Sequence, residues 1–169
     1  RKTIVESIVQ VASTLRRANE FPGLVRFLIG RFFYADAINC LIIFMGIYVT
    51  NELGFTDAQA QTVLLVAVMS SIGGAWFWGI MVDRIGPKSS LNSVLYLWMF
   101  VLLGVSLIPM LKLPTQFIWL VAVSSGIAMA GIWCADRPYL LRLVPAQYIG
   151  EFFGLYSMVG RFATILGPA

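Results

Sequence analysis

Histidine is absent from this chain of 169 residues, and cysteine and charge are both scarce. Without histidine the protein has no histidine proton relay, no histidine metal ligand and no serine–histidine triad. Its two cysteines, Cys40 and Cys134, stand far apart inside apolar segments and form no Cys-x-x-Cys unit. We therefore expect two small buried thiols, no disulfide framework, no metal site and no cofactor.

Charged residues make up 12% of the chain and hydrophobic residues 59%, with a mean hydropathy of +0.85. Soluble domains have about 25% charged and about 45–50% apolar residues. The composition therefore indicates a membrane protein. The net charge of +4 does not indicate nucleic-acid binding, because the cations stand beside the apolar segments.

Five apolar segments follow an amphipathic stretch. Residues 1–23 alternate apolar and basic positions and end at a Pro-Gly break, which predicts a linker helix at the membrane surface. Residues 24–169 are predicted to form the transmembrane bundle. A span needs roughly 20 residues, so four segments are long enough and the fifth looks truncated. The predicted fold is an all-α polytopic membrane helix bundle with spans at about 24–50, 62–82, 91–111, 117–135 and 152–169.

Cations are concentrated on one side of these spans. Nine lie in the N-terminal segment and in the second and fourth connections, against one on the other side. The bias predicts that the first segment and both of these connections are cytoplasmic. The nine are Arg1, Lys2, Arg16, Arg17, Arg26, Arg84, Lys88, Arg137 and Arg142, and the one opposite is Lys112. In the first connection, Thr56 or Asp57 could cap the next helix.

The second connection carries the most specific motif, Gly-x-x-x-Asp-Arg-x-Gly-x-Lys over residues 79–88. It predicts a tight turn between two spans, and it resembles the loop signature of the major facilitator superfamily of secondary transporters. The run Pro145 to Leu155 is similar to the other loop pattern of that superfamily, although Ile149 stands where Arg is usual. The resemblance implies a conformational latch whose contacts form in one state of alternating access and break in the other. Its members would be Gly79, Asp83, Arg84, Gly86, Lys88 and Glu151.

Three further stretches, over residues 26–37, 141–145 and 151–168, resemble the vacuole-effluxer-like branch, which includes the autophagy-related vacuolar amino-acid effluxer. Ala35-Asp36-Ala37 stands where that branch has Asn-Asp-Gly, and Arg161 stands where it has Lys. The resemblance covers nearly the whole chain and implies export of amino-acid-like solutes. It also implies a place at the start of the C-terminal half, helices seven to eleven, with a missing N-terminal half as partner. The chain begins without Met and ends in an apolar run, which we interpret as a fragment of a longer protein.

Polar residues inside the spans are the candidates for chemistry. Asp36 lies ~14 Å along the helix from Phe27, near the middle of a ~30 Å hydrocarbon layer, and Asn39 shares its face. Arg161 falls ~14 Å into the last span, at matching depth. We expect Asp36 and Arg161 to meet, with Asp36 coupling transport to protons and Arg161 binding a substrate carboxylate, or else to form a structural ion pair. Arg31 is shallower, and either belongs to this site or extends to the interface as an anchor.

Other classes of function are less consistent with these residues. The chain has no Gly-x4-Gly-Lys-Ser/Thr loop for an ATP-driven pump, and only one aspartate in the middle of a span where an intramembrane aspartyl protease needs two. We therefore predict no enzyme, but a multi-pass carrier in a bacterial inner membrane or an endomembrane, with a small molecule, protons and the lipid bilayer as partners. A lipid scramblase or flippase and a non-transporting membrane adaptor remain the alternatives.

Overall fold

The computed structural model describes residues 17–18 and 20–166, and every element in this part of the chain is helical. The long helices are α1 (Leu24–Asn51), α2 (Asp57–Ile85), α3 (Pro87–Met110), α4 (Phe117–Leu143) and α5 (Ile149–Leu166). A short 3-10 turn, Ala146–Tyr148, precedes α5. Most of the predicted linker helix over residues 1–23 lies outside the described residues.

Four of these helices, α1 to α4, are long and apolar enough to cross a membrane. They cover the first four predicted spans, except that the third, 91–111, ends one residue past α3, and the all-α polytopic membrane bundle is confirmed. The fifth predicted span corresponds to α5, which has 18 described residues and is not among the four helices that meet the criteria for a span.

The largest differences from the predicted bounds are at the start of α2 and at the end of α4. Helix α2 begins five residues early, because Thr56 caps it: the Gln59 amide donates to the Thr56 hydroxyl over 3.3 Å, and the Gln59 side chain accepts from the Thr56 amide over 3.0 Å. Helix α4 continues through Pro138 to Leu143, although the sequence predicted an end at Ala135. Membrane helices tolerate an interior proline when neighbouring groups satisfy the freed backbone.

The turn between α2 and α3 consists of one residue, Gly86. Its φ of 85° lies in the region that glycine adopts without steric cost. The Gly86 amide donates to Val82 O, its carbonyl accepts from Ser90, and Pro87 occupies the first position of α3. The glycine of the sequence motif therefore ends one helix and begins the next.

The chain divides into two compact units, which we describe separately. Unit 1 comprises Arg1–Ile43 and Leu140–Ala169, and unit 2 comprises Phe44–Tyr139. Within unit 2, small residues let helix backbones approach closely. A Cβ on Gly74 would lie 2.8 Å from Ile127 Cα, and one on Gly126 would overlap the backbone of Ala67. Close backbone contact through small residues is the usual way in which membrane helices associate.

Candidate functional site

In unit 1 the polar contacts centre on Arg31, which lies on the buried face of α1. Leu24, Leu28 and Ile38 share that face at helical spacing and are all less than 9% exposed. The Arg31 guanidinium carbon lies 3.5 Å from the centroid of the Tyr156 ring on α5, and Nε donates to the Tyr156 carbonyl over 3.4 Å. A guanidinium this close to an aromatic face makes a cation–π contact. The arginine therefore contacts α5 through both the ring and the backbone of Tyr156.

Two neighbours shape the position of this guanidinium. The Tyr34 hydroxyl, one turn further along α1, forms a hydrogen bond with the Arg31 side chain. A Cβ on Gly160 would lie 3.1 Å from Arg31 Nη2, so that glycine leaves the room that the guanidinium occupies. Since Tyr156 and Gly160 are four residues apart, they share one face of α5. Arg31, Tyr34, Tyr156 and Gly160 together form what we call the arginine cluster.

Asp36 lies close to the middle of α1 and is partly exposed as a residue. Its Oδ1 atom, however, is buried and has no hydrogen-bond partner among the described residues. Asn39, one turn further on, is also partly exposed and makes at least one interaction of its own. An oxygen buried without a partner is costly when the carboxyl group is ionised, which sets Asp36 apart from the exposed carboxylates Asp57 and Asp83.

The predicted meeting of Asp36 and Arg161 is wrong for this structure. No ion pair joins the two side chains, and Arg161 is exposed. Matching depth fixes the position of a residue along a helix, but not its direction around the axis. Tyr156 and Gly160 occupy the face of α5 that contacts α1, and Arg161 follows Gly160 by one residue, which is about 100° around the helix.

Glu151, in the first turn of α5, forms an ion pair with Arg17. Arg17 Nη1 lies 3.1 Å from Glu151 Oε2. Both partners belong to unit 1. Sequence reasoning grouped Glu151 with the motif of residues 79–88 as a latch, and that grouping stays a prediction.

The remaining predicted latch residues lie in unit 2, around the turn at Gly86. Asp83, Arg84 and Lys88 are exposed, and among the described residues none of the three has an ion-pair partner. Gly79 is partly exposed, and a Cβ there would meet nothing within 4 Å. The glycine at 86 thus has a local structural role, and the latch role of the three charges stays a prediction.

Sequence reasoning missed Asp136. This residue is 2% exposed, lies within α4 and makes at least one interaction. The predicted span of residues 117–135 ends one residue before it. The available signal was that membrane helices tolerate an interior proline, so the span could have been extended past Asp136 and Arg137. Tyr34 and Tyr156 were also missed, because nothing in their spacing distinguishes them from ordinary membrane aromatics.

Comparison with known proteins agrees with this architecture. The family model described as "Vacuole effluxer Atg22 like" matches residues 1–169. YxiO of Bacillus subtilis (strain 168), an uncharacterized MFS-type transporter, is 26% identical over 98% of this chain and 37% of its own length. Autophagy-related protein 22 of Coccidioides immitis (strain RS) is 22% identical over 98% of this chain and 29% of its own length. A Na(+), Li(+), K(+)/H(+) antiporter of Planococcus maritimus is 24% identical over 83% of this chain and 33% of its own length.

These findings define an integral, multi-pass membrane protein related to transporters of the major facilitator type. The chain belongs to the Atg22-like vacuole effluxer family. It spans about a third of the length of the curated relatives that it matches. No solved structure matches it significantly.

Proposed function

We propose that the whole protein carries out secondary active transport of a small, amino-acid-like solute, coupled to protons through Asp36. The observation that carries this proposal is the buried Oδ1 atom of Asp36, which has no hydrogen-bond partner among the described residues. In a hydrocarbon layer such a group costs less when protonated than when ionised, and only water or a substrate can compensate the ionised form. This burial is the basis on which we assign the proton-coupling role to Asp36.

The relatives support both parts of the proposal. The family description names a vacuole effluxer, which favours export. The name of the Planococcus relative describes an exchange of Na(+), Li(+) or K(+) for H(+), which favours proton coupling in a related protein. The amino-acid-like character of the solute follows from the resemblance of residues 26–37, 141–145 and 151–168 to the effluxer branch.

We assign further roles within the same proposal. Arg161 and Arg31 are the candidates to bind a substrate carboxylate, because a guanidinium can donate two parallel hydrogen bonds to it. Asn39, on the face of Asp36, would contact the solute or the proton-binding group. Asp83, Arg84 and Lys88 would form the latch in one state of alternating access, with groups outside this chain.

The experiment uses the full-length parent protein in liposomes that contain a pH-sensitive dye. Amino acids and other small metabolites are added in turn to the wild type and to Asp36→Asn. We expect solute-dependent proton movement in the wild type and its loss in Asp36→Asn. Asp57→Asn is the matched control, because Asp57 is exposed in the first turn of α2 and outside the predicted hydrocarbon layer.

Each result has a distinct meaning. Proton movement that persists in Asp36→Asn would contradict the coupling role of Asp36. Solute flux without proton movement, measured with radiolabelled substrate, would contradict proton coupling but retain the carrier. If no solute moves and the liposomes scramble labelled lipid, the lipid alternative replaces the proposal.

A further inference from the structure

Residues 17–18 and 20–23, which we call the strap, lie against the connection between α4 and α5. At one end of the strap, Arg17 forms the ion pair with Glu151 described above. The Arg17 guanidinium carbon also lies 5.3 Å from the centroid of the Tyr148 ring, in the 3-10 turn that precedes α5. One strap residue therefore contacts both the turn and the helix that follows it.

Phe21 makes the apolar part of this contact. Its ring meets the Phe152 ring edge to face at a centroid distance of 5.5 Å, and the Tyr148 ring at 6.1 Å. Edge-to-face geometry is the favoured arrangement of aromatic pairs. Phe152 is 1% exposed, so Phe21 packs against a buried ring.

The strap ends in a turn that leads directly into α1. Gly23 has a φ of 89°, and a Cβ at this position would lie 3.8 Å from Leu143 at the end of α4. The Phe27 amide donates to the Gly23 carbonyl over 2.9 Å, so α1 is continuous with the turn. The strap is covalently continuous with α1, and its side chains contact the first turn of α5. It therefore ties the start of α1 to the start of α5.

A second tie between the same two helices lies deeper. Arg31 and Tyr156 are each seven residues past the first residue of their helix, which corresponds to about 10 Å along the axis. The two ties differ in chemistry. The contacts of the strap combine an ion pair with aromatic rings, and the Arg17 and Glu151 side chains of that pair are 41% and 22% exposed. The deeper tie is a guanidinium packed on an aromatic ring.

We propose that the strap is a clasp that holds the ends of α1 and α5 together and releases when these ends separate during transport. Alternating access proceeds by rocking or gating of one group of helices against another, and we infer that contacts at helix ends such as these form and break in it. A contact that forms and breaks repeatedly has to be weak, and a solvent-accessible ion pair is weak and further weakened by salt. This proposal rests on the proposed function, because it assigns the strap a step in a transport cycle.

The first test measures how accessible the seam between α1 and α5 is in the full-length parent protein, without reference to transport. Cys40 and Cys134 are replaced by alanine, and Ala163→Cys, on the buried face of α5 and 0% exposed, becomes the reporter. Its rate of alkylation by a water-soluble maleimide is measured. We expect Arg17→Glu and Glu151→Arg each to raise this rate about threefold, the factor that corresponds to a surface ion pair of ordinary strength. Combining the two substitutions restores the pair and is expected to restore the slow rate.

The matched control is Arg26→Glu, which reverses an exposed arginine in the first turn of α1 that has no ion-pair partner among the described residues. It should leave the alkylation rate unchanged. Single reversals that have no effect, or a double reversal that stays as fast as the single ones, would overturn the proposal.

A second test covers the case in which a charge reversal prevents folding. Arg17→Cys and Glu151→Cys, in the same cysteine-free background but without the reporter, are joined by a short bis-methanethiosulfonate reagent that a reductant cleaves. We expect transport to stop on cross-linking and to return on reduction, whereas transport at the uncross-linked rate would overturn the clasp. If the wild type moves no solute at all, the proposed function fails, but the alkylation rates still decide whether the strap closes the seam.

Discussion

The two units of the chain hold their helices together in different ways. In unit 2 the contacts between helices are made by glycine, alanine and serine against backbone, with the Trp78 indole donating to the Ile127 carbonyl over 3.0 Å. In unit 1 they are made by arginine and aromatic rings. Packing against backbone cannot loosen without a loss of many contacts, whereas an arginine on a ring can exchange its partner. On this basis we expect the contacts of unit 1 to change more readily than those of unit 2.

The most severe test of this comparison adds volume in unit 2. A Cβ on Gly126 would overlap the Ala67 carbonyl and the Ser70 hydroxyl, and backbone cannot rotate out of the way. We expect Gly126→Val to lower the free energy of unfolding by about 3 kcal/mol, the upper end of the usual cost of overpacking. The measurement is thermal unfolding in detergent, monitored by loss of the monodisperse peak.

Gly73→Val is the control for this substitution, because a Cβ on Gly73 would meet nothing within 4 Å. Both glycines lie inside apolar helices, so the change in helix propensity is the same. If both variants unfolded at the same temperature, the tight packing of unit 2 would not be the source of its stability.

A smaller effect is expected from the arginine cluster of unit 1. Arg31→Lys retains the charge but loses the planar group that lies on the Tyr156 ring, which we expect to cost about 1 kcal/mol of stability. Tyr156→Phe retains the ring and the backbone carbonyl that Arg31 contacts, and should leave stability nearly unchanged, whereas Tyr156→Leu should match Arg31→Lys. Thermal unfolding and solute flux of the full-length protein are the measurements. Equal losses in Tyr156→Phe and Tyr156→Leu would show that the hydroxyl group, and not the ring, carries the contact.

These residues also mark the limit of what the sequence could predict. Apolar length was sufficient to place α1 to α4, and local chemistry was sufficient for the Thr56 cap, since both depend on neighbours in sequence. The rotation of α5 was not predictable, because packing against other helices sets it, and so Arg161 was directed wrongly toward Asp36. The extension of α4 past Pro138, and with it the burial of Asp136, likewise depends on tertiary surroundings.

Removing the helix cap of α2 tests whether the stability of unit 2 also depends on the ends of its helices. Thr56→Ala removes a side-chain acceptor at the N-terminus of α2 and should cost about 1 kcal/mol. Thr62→Ala is the matched control, because the Thr62 hydroxyl only donates to the Ala58 carbonyl one turn back. A loss in Thr62→Ala as large as that in Thr56→Ala would mean that the cap itself contributes nothing.

The smallest effect on stability is expected where we expect the largest effect on motion. Arg17→Gln removes an ion pair that is partly exposed on both sides, and such pairs contribute about 0.2–1 kcal/mol. Unfolding temperature should therefore barely change, while alkylation at Ala163→Cys becomes faster. A change of similar size in Arg26→Gln would make the effect one of net charge, because Arg26 is exposed and has no ion-pair partner in the described part of the chain. If Arg17→Gln instead lowered stability as much as Gly126→Val, the strap would be a fixed structural contact like those of unit 2, and a contact that strong could not open in every transport cycle.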